Sequence, residues 1–269
     1  VNSLLAKNLG FHNEWHRDQV ALAVMEELKM PSEKIEERFN LNKGMGATIE
    51  IFGDGTLGMV GTAFIYTNKE HISIGCGTLL SQMCNRNVKP YELLEYVKHH
   101  PIIKPLIEDG ESCEYYAHLI PEGGYNSIPK LVGDGVIVVG DAAQFVNGIH
   151  REGSNLGMTS GRFAAETIIR AKKLEKFDEQ TLSYYQDLVK NSYIIKDLKK
   201  YKNASTTMEN NPQFFNHYIP AANKVMSEMF TVDGISKSKK QKLAIKHVTS
   251  GRSIFGLARD GLKIWRAMK

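Results

Sequence analysis

The sequence lacks what would carry it through a membrane. No run of eighteen apolar residues occurs in its 269 residues, so a spanning helix is not expected. The first fifteen residues show no charged-then-apolar order, and no secretory signal is read there. Cysteine is scarce: Cys76, Cys84 and Cys113 stand apart, with no CxxC pair. Three scattered thiols are not a disulfide framework. They fit a reducing compartment in which each is a small buried apolar residue. Three cysteines also cannot complete a four-cysteine iron–sulfur cluster within the chain, and no metal site is expected. No GxGxxG follows a strand; Gly44-Met45-Gly46 is only a weak GxG. The glycine-rich turn that lays a pyrophosphate on a helix N-terminus is therefore not read here. The first residue is Val1 rather than methionine, and a segment upstream of it is expected.

What is present is ordinary for a globular protein, with 42% hydrophobic and 24% charged residues. The length allows one large domain or two small ones. Net charge is +4, unevenly spread. From Ile235 to Lys269 there are ten Lys/Arg and one acid, Asp260, so that stretch holds +9. The rest, with 24 basic and 29 acidic residues, holds −5. Basicity is a property of the tail.

Along the chain, Asn2 to Leu9 reads as a short helix ended by Gly10. Residues 20–28 suit a buried strand or a helix, and Pro31-Ser32-Glu33 opens a short helix. Residues 46–78 read as an antiparallel meander: Ala47–Phe52, Met59–Tyr66 and His71–Gly77 are strands, with turns at Gly53-Asp54-Gly55 and Thr67-Asn68-Lys69. Pro90–His99 is a predicted helix and Cys113–Ile120 a predicted strand. Gly135–Gly140 (GVIVVG) is a near-continuous apolar run, the mark of a strand buried on both faces of a parallel sheet. Helices are predicted over Ser154–Lys172, 178–200 and 212–230.

One stretch carries chemistry: VIVVGDAAQFVNGIHREGSNLGMTSG, Val136–Gly161. A strand ends in Gly140-Asp141, where ligands of open α/β sheets bind. Glycine allows close approach of a ligand, and a carboxylate can accept hydrogen bonds from polyol hydroxyls. Gly153-Ser154-Asn155 then start a helix whose free donors suit anions or polarised carbonyls. A plain capped strand–loop–helix is the alternative for a bare Gly-Asp pair.

The GDAA…GSNLG run resembles the second FAD motif of glutathione-reductase-like flavoproteins, which include aromatic hydroxylases and geranylgeranyl reductases. In that family the Asp contacts the ribityl chain, and the loop and helix start lie near the pyrimidine edge of the flavin. The match carries over to Gly140, Asp141, Gly153, Ser154 and Asn155, and the cofactor-binding set is extended to Gly148 and Arg151. The hydroxylases usually place a proline in the loop, where this chain has Asn147-Gly148-Ile149-His150-Arg151-Glu152. FNGIHREGSN from Phe145, GTAFIYTNKEHISIGCGTLLSQ at Gly61–Gln82, HLIPEGGY at His118–Tyr125, LKKYKNA at Leu198–Ala204, NPQFFNHY at Asn211–Tyr218 and TVDG at Thr231–Gly234 are similar, in order, to the FixC branch of the electron-transfer-flavoprotein–quinone oxidoreductase family. Val1-Asn2-Ser3 resembles the end of that family's DGVNS segment, which lies past the first FAD motif. The chain is thus identified as the C-terminal portion of such a protein, and alone it is expected to hold FAD poorly or not at all.

The resemblance implies an α/β fold: a partial FAD/NAD(P)-binding domain, an antiparallel β-sheet substrate domain and a helical C-terminal region. Residues 1–19 would close an FAD-domain segment, 20–130 form the substrate and quinone domain, 131–175 carry the second FAD motif, and 176–269 form the helical region. It implies an FAD-dependent enzyme that takes electrons from an electron-transfer flavoprotein and gives them to a quinone, and nitrogen fixation as the setting of that branch. Electron transfer needs no acid–base triad, and no catalytic residue is assigned; it needs a placed and tuned flavin. Asp141 and Asn155 would position the ring. His150 or Arg151 would supply positive charge near it, against the alternatives of a structural hydrogen bond and a surface ion pair. Tyr66, Tyr116 and Tyr125 would line a quinone channel or pack in the core. Expected partners are the electron-transfer flavoprotein subunits, a separate ferredoxin-like iron–sulfur subunit, and quinone.

In the tail, Ile254, Leu257, Ala258, Leu262, Trp265 and Met268 share one helical face, opposite Arg259, Lys263 and Arg266. Such a helix suits an anionic lipid surface; docking on protein is the alternative. Localisation is expected to be cytoplasmic, with peripheral contact at the inner face of the membrane. No nucleic-acid-reading motif is seen. A geranylgeranyl-reductase-like flavoenzyme and a non-catalytic assembly subunit remain as competing readings.

Overall fold

The computed structural model describes residues 3–268. Val1 and Asn2, which begin the DGVNS-like segment and the first predicted helix, lie outside the described residues, as does Lys269 at the end of the basic tail. The chain forms two compact units. The first gathers the residues up to Ala21, Leu119–Thr207 and those from Ile264 onward; the second gathers Leu22–His118 and Met208–Lys263.

The second unit is built on an antiparallel meander. Strands β1 (Val20–Lys29), β2 (Thr48–Ile51), β3 (Gly61–Thr67), β4 (His71–Leu79) and β5 (Glu111–Pro121) form one sheet in the order β2-β3-β4-β1-β5. The apolar run at the start of β1 is a strand, not a helix, and its Val and Leu residues suit a pleated surface. The β3–β4 hairpin pairs Ala63 with Cys76 and Ile65 with Ile74. These residues are wholly buried together with Met59 and Ile72. Around the sheet run α2 (Ser32–Arg38), α3 (Leu80–Arg86), α4 (Pro90–Lys98) and α5 (Lys104–Ile107). Leu93, Leu94 and Val97 of α4 bury one face in the same core. Pro90 sits in the first turn of α4, where its missing donor costs nothing. The cysteines depart from expectation. Cys76 lies in this core, and burial pushes its thiol up to about 12. Cys84 and Cys113 are exposed, one on the outer side of α3 and the other on the edge strand β5.

The same unit holds most of the C-terminal helices: a π turn at Phe214–Tyr218, α11 (Ile219–Phe230), α12 (Lys237–Thr249) and α13 (Ile254–Ala267). They follow the short α10 (Ala204–Glu209), whose last residues cross into this unit. Asp260 of α13 is 1% exposed. It accepts from Arg252, from Tyr218 Oη at 2.7 Å and from Gln213 Nε2 at 3.1 Å. Burial alone would raise this carboxyl, yet the hydrogen bonds from Arg252 and Tyr218 hold it below the usual carboxylate range. A depressed folded-state value stabilises the fold above the unfolded value of about 3.9, and that stability is lost as pH falls through the folded value. Asp260→Ala is therefore expected to lower stability by about 2 kcal/mol at neutral pH and to flatten the acid limb of the stability–pH curve. Urea midpoints at neutral pH and near pH 3 check both effects; an unchanged acid limb would show that the carboxyl is not strapped.

The first unit starts with α1 (Leu4–Asn8), capped by Ser3 Oγ. Gly10 ends it at φ +71°. A two-strand ladder, β6 (Val132–Gly133) with β7 (Val136–Ile137), is antiparallel, with Val132 opposite Ile137. The GVIVVG run thus differs from the expected parallel, doubly buried strand. Among the described residues its only strand partner is β6, across its own turn, and Val136 and Ile137 are half-buried. A long helix α6 (Ser154–Leu174) follows. It packs Leu156, Phe163, Ala164 and Ala171 inward against Val138, Phe145, Leu182 and Tyr185. The predicted helix over 178–200 is three pieces: α7 (Glu179–Leu182), α8 (Tyr184–Asn191) and α9 (Tyr193–Lys200). Ser192 is extended, at ψ 174°, and its hydroxyl accepts from Ile194 N. The local cap outcompetes helix continuation there.

Candidate functional site

The loop between β7 and α6 is built on close backbone approach. Gly140 has φ +57°, a conformation that β-carbons disfavour. A β-carbon on it would rest in ordinary contact with Gly157 Cα, 3.7 Å away in the first turns of α6. The Gly140 N–H donates to Ser160 Oγ at 3.0 Å, and that hydroxyl donates to Gly157 O at 2.8 Å. Small residues thus clamp the strand end onto the helix. Below them Tyr185, fully buried, donates to Val138 O at 3.0 Å. Burial drives its phenol above the ordinary value.

Asp141 is exposed at the head of this clamp. Its Oδ1 lies 4.0 Å from where a β-carbon on Gly153 would stand, so the carboxylate and the start of α6 share one face. Gly153 is the N-cap of α6 and has no side chain to satisfy the first-turn donors. The N–H groups there are directed at whatever approaches. Ser154 is exposed and Asn155 half-buried. The Asn155 carbonyl accepts from Tyr193 Oη at 3.3 Å.

Between Asp141 and Gly153 the chain makes a compact hairpin-like turn. Asn147 and Glu152 exchange backbone hydrogen bonds of 2.8 and 3.1 Å. Asn147 Oδ1 accepts from Ile149 N and His150 N. Arg151, at the exposed tip, has φ +58°, a rare conformation for a non-glycine residue. His150 Nε2 lies 2.9 Å from Tyr201 Oη, with the rings edge-on at 5.0 Å. Gly148 leaves room for Glu122, whose Oε2 occupies the space a β-carbon there would need.

The structure therefore brings all seven predicted cofactor residues, Gly140, Asp141, Gly148, Arg151, Gly153, Ser154 and Asn155, into one loop-and-helix-start. His150 is held by Tyr201. Of the three tyrosines, Tyr66 stacks on Phe64 in β3, Tyr116 is exposed on β5, and Tyr125 lies in a turn of the first unit. Reading the sequence did not single out Gln144, Asn147, Glu122 or Tyr201 for a site role. Gln144 is wholly buried at φ +62°, and neither polar atom of its side chain has a hydrogen-bond partner. Asn147 Nδ2 is likewise buried and unpartnered. Their only sequence signal was membership of the quoted motif.

Those amide groups test the fit of a cofactor. A buried unpaired donor or acceptor costs about 1–3 kcal/mol, and native proteins rarely leave such groups unmatched. Gln144 and Asn147 lie in the loop where the glycine clamp and the donor-bearing helix start converge. Hydroxyl-rich, carbonyl-bearing FAD has the complementary groups, and the residues present fit it. Among the described residues, no His, Cys, Asp or Glu cluster suits a metal.

Comparison with known proteins places the chain in a family. The family described as ETF-QO/FixC family C-terminal domain matches residues 204–269. Protein FixC of Azorhizobium caulinodans is 45% identical over 271 residues, covering 100% of this chain and 62% of that protein. The probable electron transfer flavoprotein-quinone oxidoreductase YdiS of Escherichia coli is 35% identical, covering 98% and 61%. The chain thus spans less than two thirds of the length of these relatives. Among solved structures, a geranylgeranyl bacteriochlorophyll reductase-like protein of Thermoplasma acidophilum superposes with a TM-score of 0.56 at 14% identity, covering 92% of this chain and 52% of that one. A flavoprotein/dehydrogenase of Cytophaga hutchinsonii gives 0.51 at 12% identity, covering 98% and 59%. At such identities these two speak for the fold alone: mixed α/β, with an antiparallel sheet and a helical C-terminal region. The relatives by sequence speak for the family, and the chain belongs to the ETF-QO/FixC family as one of its FixC-like members.

Proposed function

We propose that the protein is an FAD-dependent oxidoreductase that takes electrons from an electron-transfer flavoprotein and delivers them to a quinone. The observation that carries this reading is convergence. HLIPEGGY, FNGIHREGSN and LKKYKNA are separate in the chain, yet Glu122 meets Gly148 and His150 meets Tyr201 around one glycine-lined loop. FAD supplies the one- and two-electron chemistry. The chain's own part is to hold and tune it. Asp141 accepts hydrogen bonds from hydroxyls, Gly140 and Gly153 allow close approach, and Gln144 and Asn147 offer buried amides. The first-turn donors from Ser154 and Asn155 face a polarised carbonyl, while Arg151 brings positive charge. The absorption spectrum of the intact protein, after FAD is added and the excess removed, tests this directly. One flavin per chain is expected; a colourless protein would overturn it.

The relative from Escherichia coli carries electron transfer flavoprotein and quinone in its name, and these are the donor and acceptor proposed. With three cysteines in the chain, a ferredoxin-like subunit is the proposed holder of any iron–sulfur cluster. Reduction of a soluble quinone by dithionite-reduced electron-transfer flavoprotein, in the presence and absence of this protein, reads the activity.

Contact with a membrane surface is proposed through α13, at the inner face of the cytoplasmic membrane. No helix of the described residues is long and apolar enough to cross a membrane. The side of α13 that carries Asp260 and Lys263 is the one that packs: Asp260 is strapped, and Lys263 Nζ donates to Asn211 Oδ1 at 2.6 Å, while Arg259 and Arg266 stay exposed. Ile254, Phe255 and Leu262 are left 77%, 88% and 44% exposed. A helix that turns its apolar side outward, on a basic tail, suits an anionic lipid surface. Replacing Ile254 and Phe255 together by serine removes about 3 kcal/mol or more of burial from such contact. Binding to anionic vesicles should fall more than tenfold with unchanged melting temperature. Equal vesicle binding by both proteins would assign the face to a protein partner instead.

A further inference from the structure

Glu122 has no part in holding the cofactor as described above, yet it is the residue most firmly aimed at that loop. β5 ends at Pro121, and the Glu122 N–H then donates to Gln19 O at 2.8 Å. Gln19 Nε2 donates in turn to Ser127 Oγ at 2.9 Å, and that hydroxyl fills the space beside Gly123 where a side chain would stand. This bracket fixes the backbone of Glu122 and sends its carboxyl to Gly148. The residue is half-buried, with its Oε2 packed against Gly148. From the loop, the charged group facing it is Arg151. From the Gln19 segment a carbonyl takes the Glu122 backbone N–H, while the Gln19 amide and the Ser127 hydroxyl meet each other beside Gly123; none of these groups is charged. Burial pushes this carboxyl up to about 7, with Arg151 holding it back. A carboxyl poised there responds to any new charge nearby, because charges a few ångströms apart inside protein are screened far less than in water. Negative charge arriving at the loop favours its protonated form.

We propose that Glu122 is the proton-accepting group of the cofactor site, taking one proton from water onto its carboxylate as an electron pair enters the flavin and returning it when the pair leaves. This rests on the reading that the loop from Gly140 to Asn155 holds FAD. The electrons come from a reduced flavoprotein donor and leave to a quinone-class acceptor. The carboxylate gains and loses only the proton, and no covalent bond other than O–H forms or breaks on Glu122. The arrangement offsets the charge that reduction brings into the loop and makes the reduced state easier to reach at lower pH.

The test is the midpoint potential of the bound flavin in the intact protein, reduced by dithionite with mediators and followed by absorbance across neutral pH. It is run for wild type, Glu122→Gln and Glu122→Asp. The wild-type slope should exceed that of Glu122→Gln by about half a proton per electron pair near pH 7, rising toward one proton above it. One full proton is a tenfold change in the equilibrium constant per pH unit, or about 30 mV for a two-electron couple. Glu122→Asp should keep the excess. Reduced-minus-oxidised infrared spectra of the wild type should show a protonated-carboxyl band that shifts in deuterium oxide and is missing from Glu122→Gln. Identical slopes with flavin bound to all three proteins would overturn the proposal and leave the cofactor reading intact. If Glu122→Gln does not fold, the wild-type infrared band decides alone. Colourless protein in every case would overturn the cofactor reading, and this proposal with it.

Discussion

Asp141→Ala is expected to strip flavin from the intact protein while leaving its fold unchanged. The carboxylate is exposed at the end of the Gly140 clamp and faces the N-terminus of α6. A hydrogen bond to an ionised group contributes about 1.5–3 kcal/mol, which corresponds to roughly 10- to 100-fold in affinity. Nothing in the surrounding fold leans on this side chain: the Asp141 carbonyl, not its carboxylate, accepts from Gln144 N. The melting temperature of the flavin-free protein should therefore match that of the wild type, whereas a core residue of the same loop, such as Phe145, would lower both. A flavin titration by fluorescence quenching gives the affinity. If Asp141→Ala binds FAD as tightly as the wild type, the ligand does not lie at the strand end, and the assignments of Gly153, Ser154 and Asn155 would go with it.

The strand–loop–helix of this site was legible in the sequence because its parts are contiguous. Gly140, Asp141 and Gly153-Ser154-Asn155 are joined by eleven residues, and the glycine, carboxylate and cap each have a local physical meaning. Glu122 and Tyr201 were not legible. Their contacts with Gly148 and His150 span 26 and 51 residues, and no periodicity encodes such meetings. Gln144 was hidden differently: a glutamine in a loop normally reads as exposed, and only its left-handed backbone turns it inward. The meander followed from its turn residues, since Gly53-Asp54-Gly55 and Asn68 fix where the strands stop. GVIVVG misled because an apolar run fixes neither strand direction nor burial on both faces: the strand is antiparallel, and Val136 and Ile137 are half-buried. The tail showed the same limit. Its two helical faces were readable, but the side that packs was decided by Asp260, a single acid among cations, which is buried while Arg259 and Arg266 stay exposed.

The largest loss of stability is expected from Gly61→Ala, at the start of β3. Gly61 has φ +156° and pairs with Thr78. A β-carbon there would run into the Gly77 carbonyl oxygen and lie 2.8 Å from Thr78 Cα. Both obstacles are backbone atoms of β4, a strand hydrogen-bonded on both sides, so no rotamer change relieves them. Overpacking costs about 1–3 kcal/mol, and a disallowed backbone conformation a similar amount. Together they predict a loss of about 4 kcal/mol, at the upper end for single substitutions. Gly75→Ala tests the same sheet from within β4. There a β-carbon would sit 2.6 Å from Val24 O and collide with the Phe64 ring. Part of that obstacle is a side chain that can swing away, so a smaller loss is expected. Gly261→Ala in α13 is the control, since nothing lies within 4 Å of its added carbon; as an exposed helical position it should gain about 0.5–1 kcal/mol. Urea midpoints should therefore fall in the order Gly261→Ala, wild type, Gly75→Ala, Gly61→Ala. If Gly61→Ala unfolds at the wild-type midpoint, β3 and β4 are not in the close register of Ala63 with Cys76. The ordering also bears on what Gly61–Gln82 contributes to the family likeness. Its glycines stand where strands touch, so the likeness there records how the sheet closes, while the chemistry proposed for this protein rests on the loop from Gly140 to Asn155.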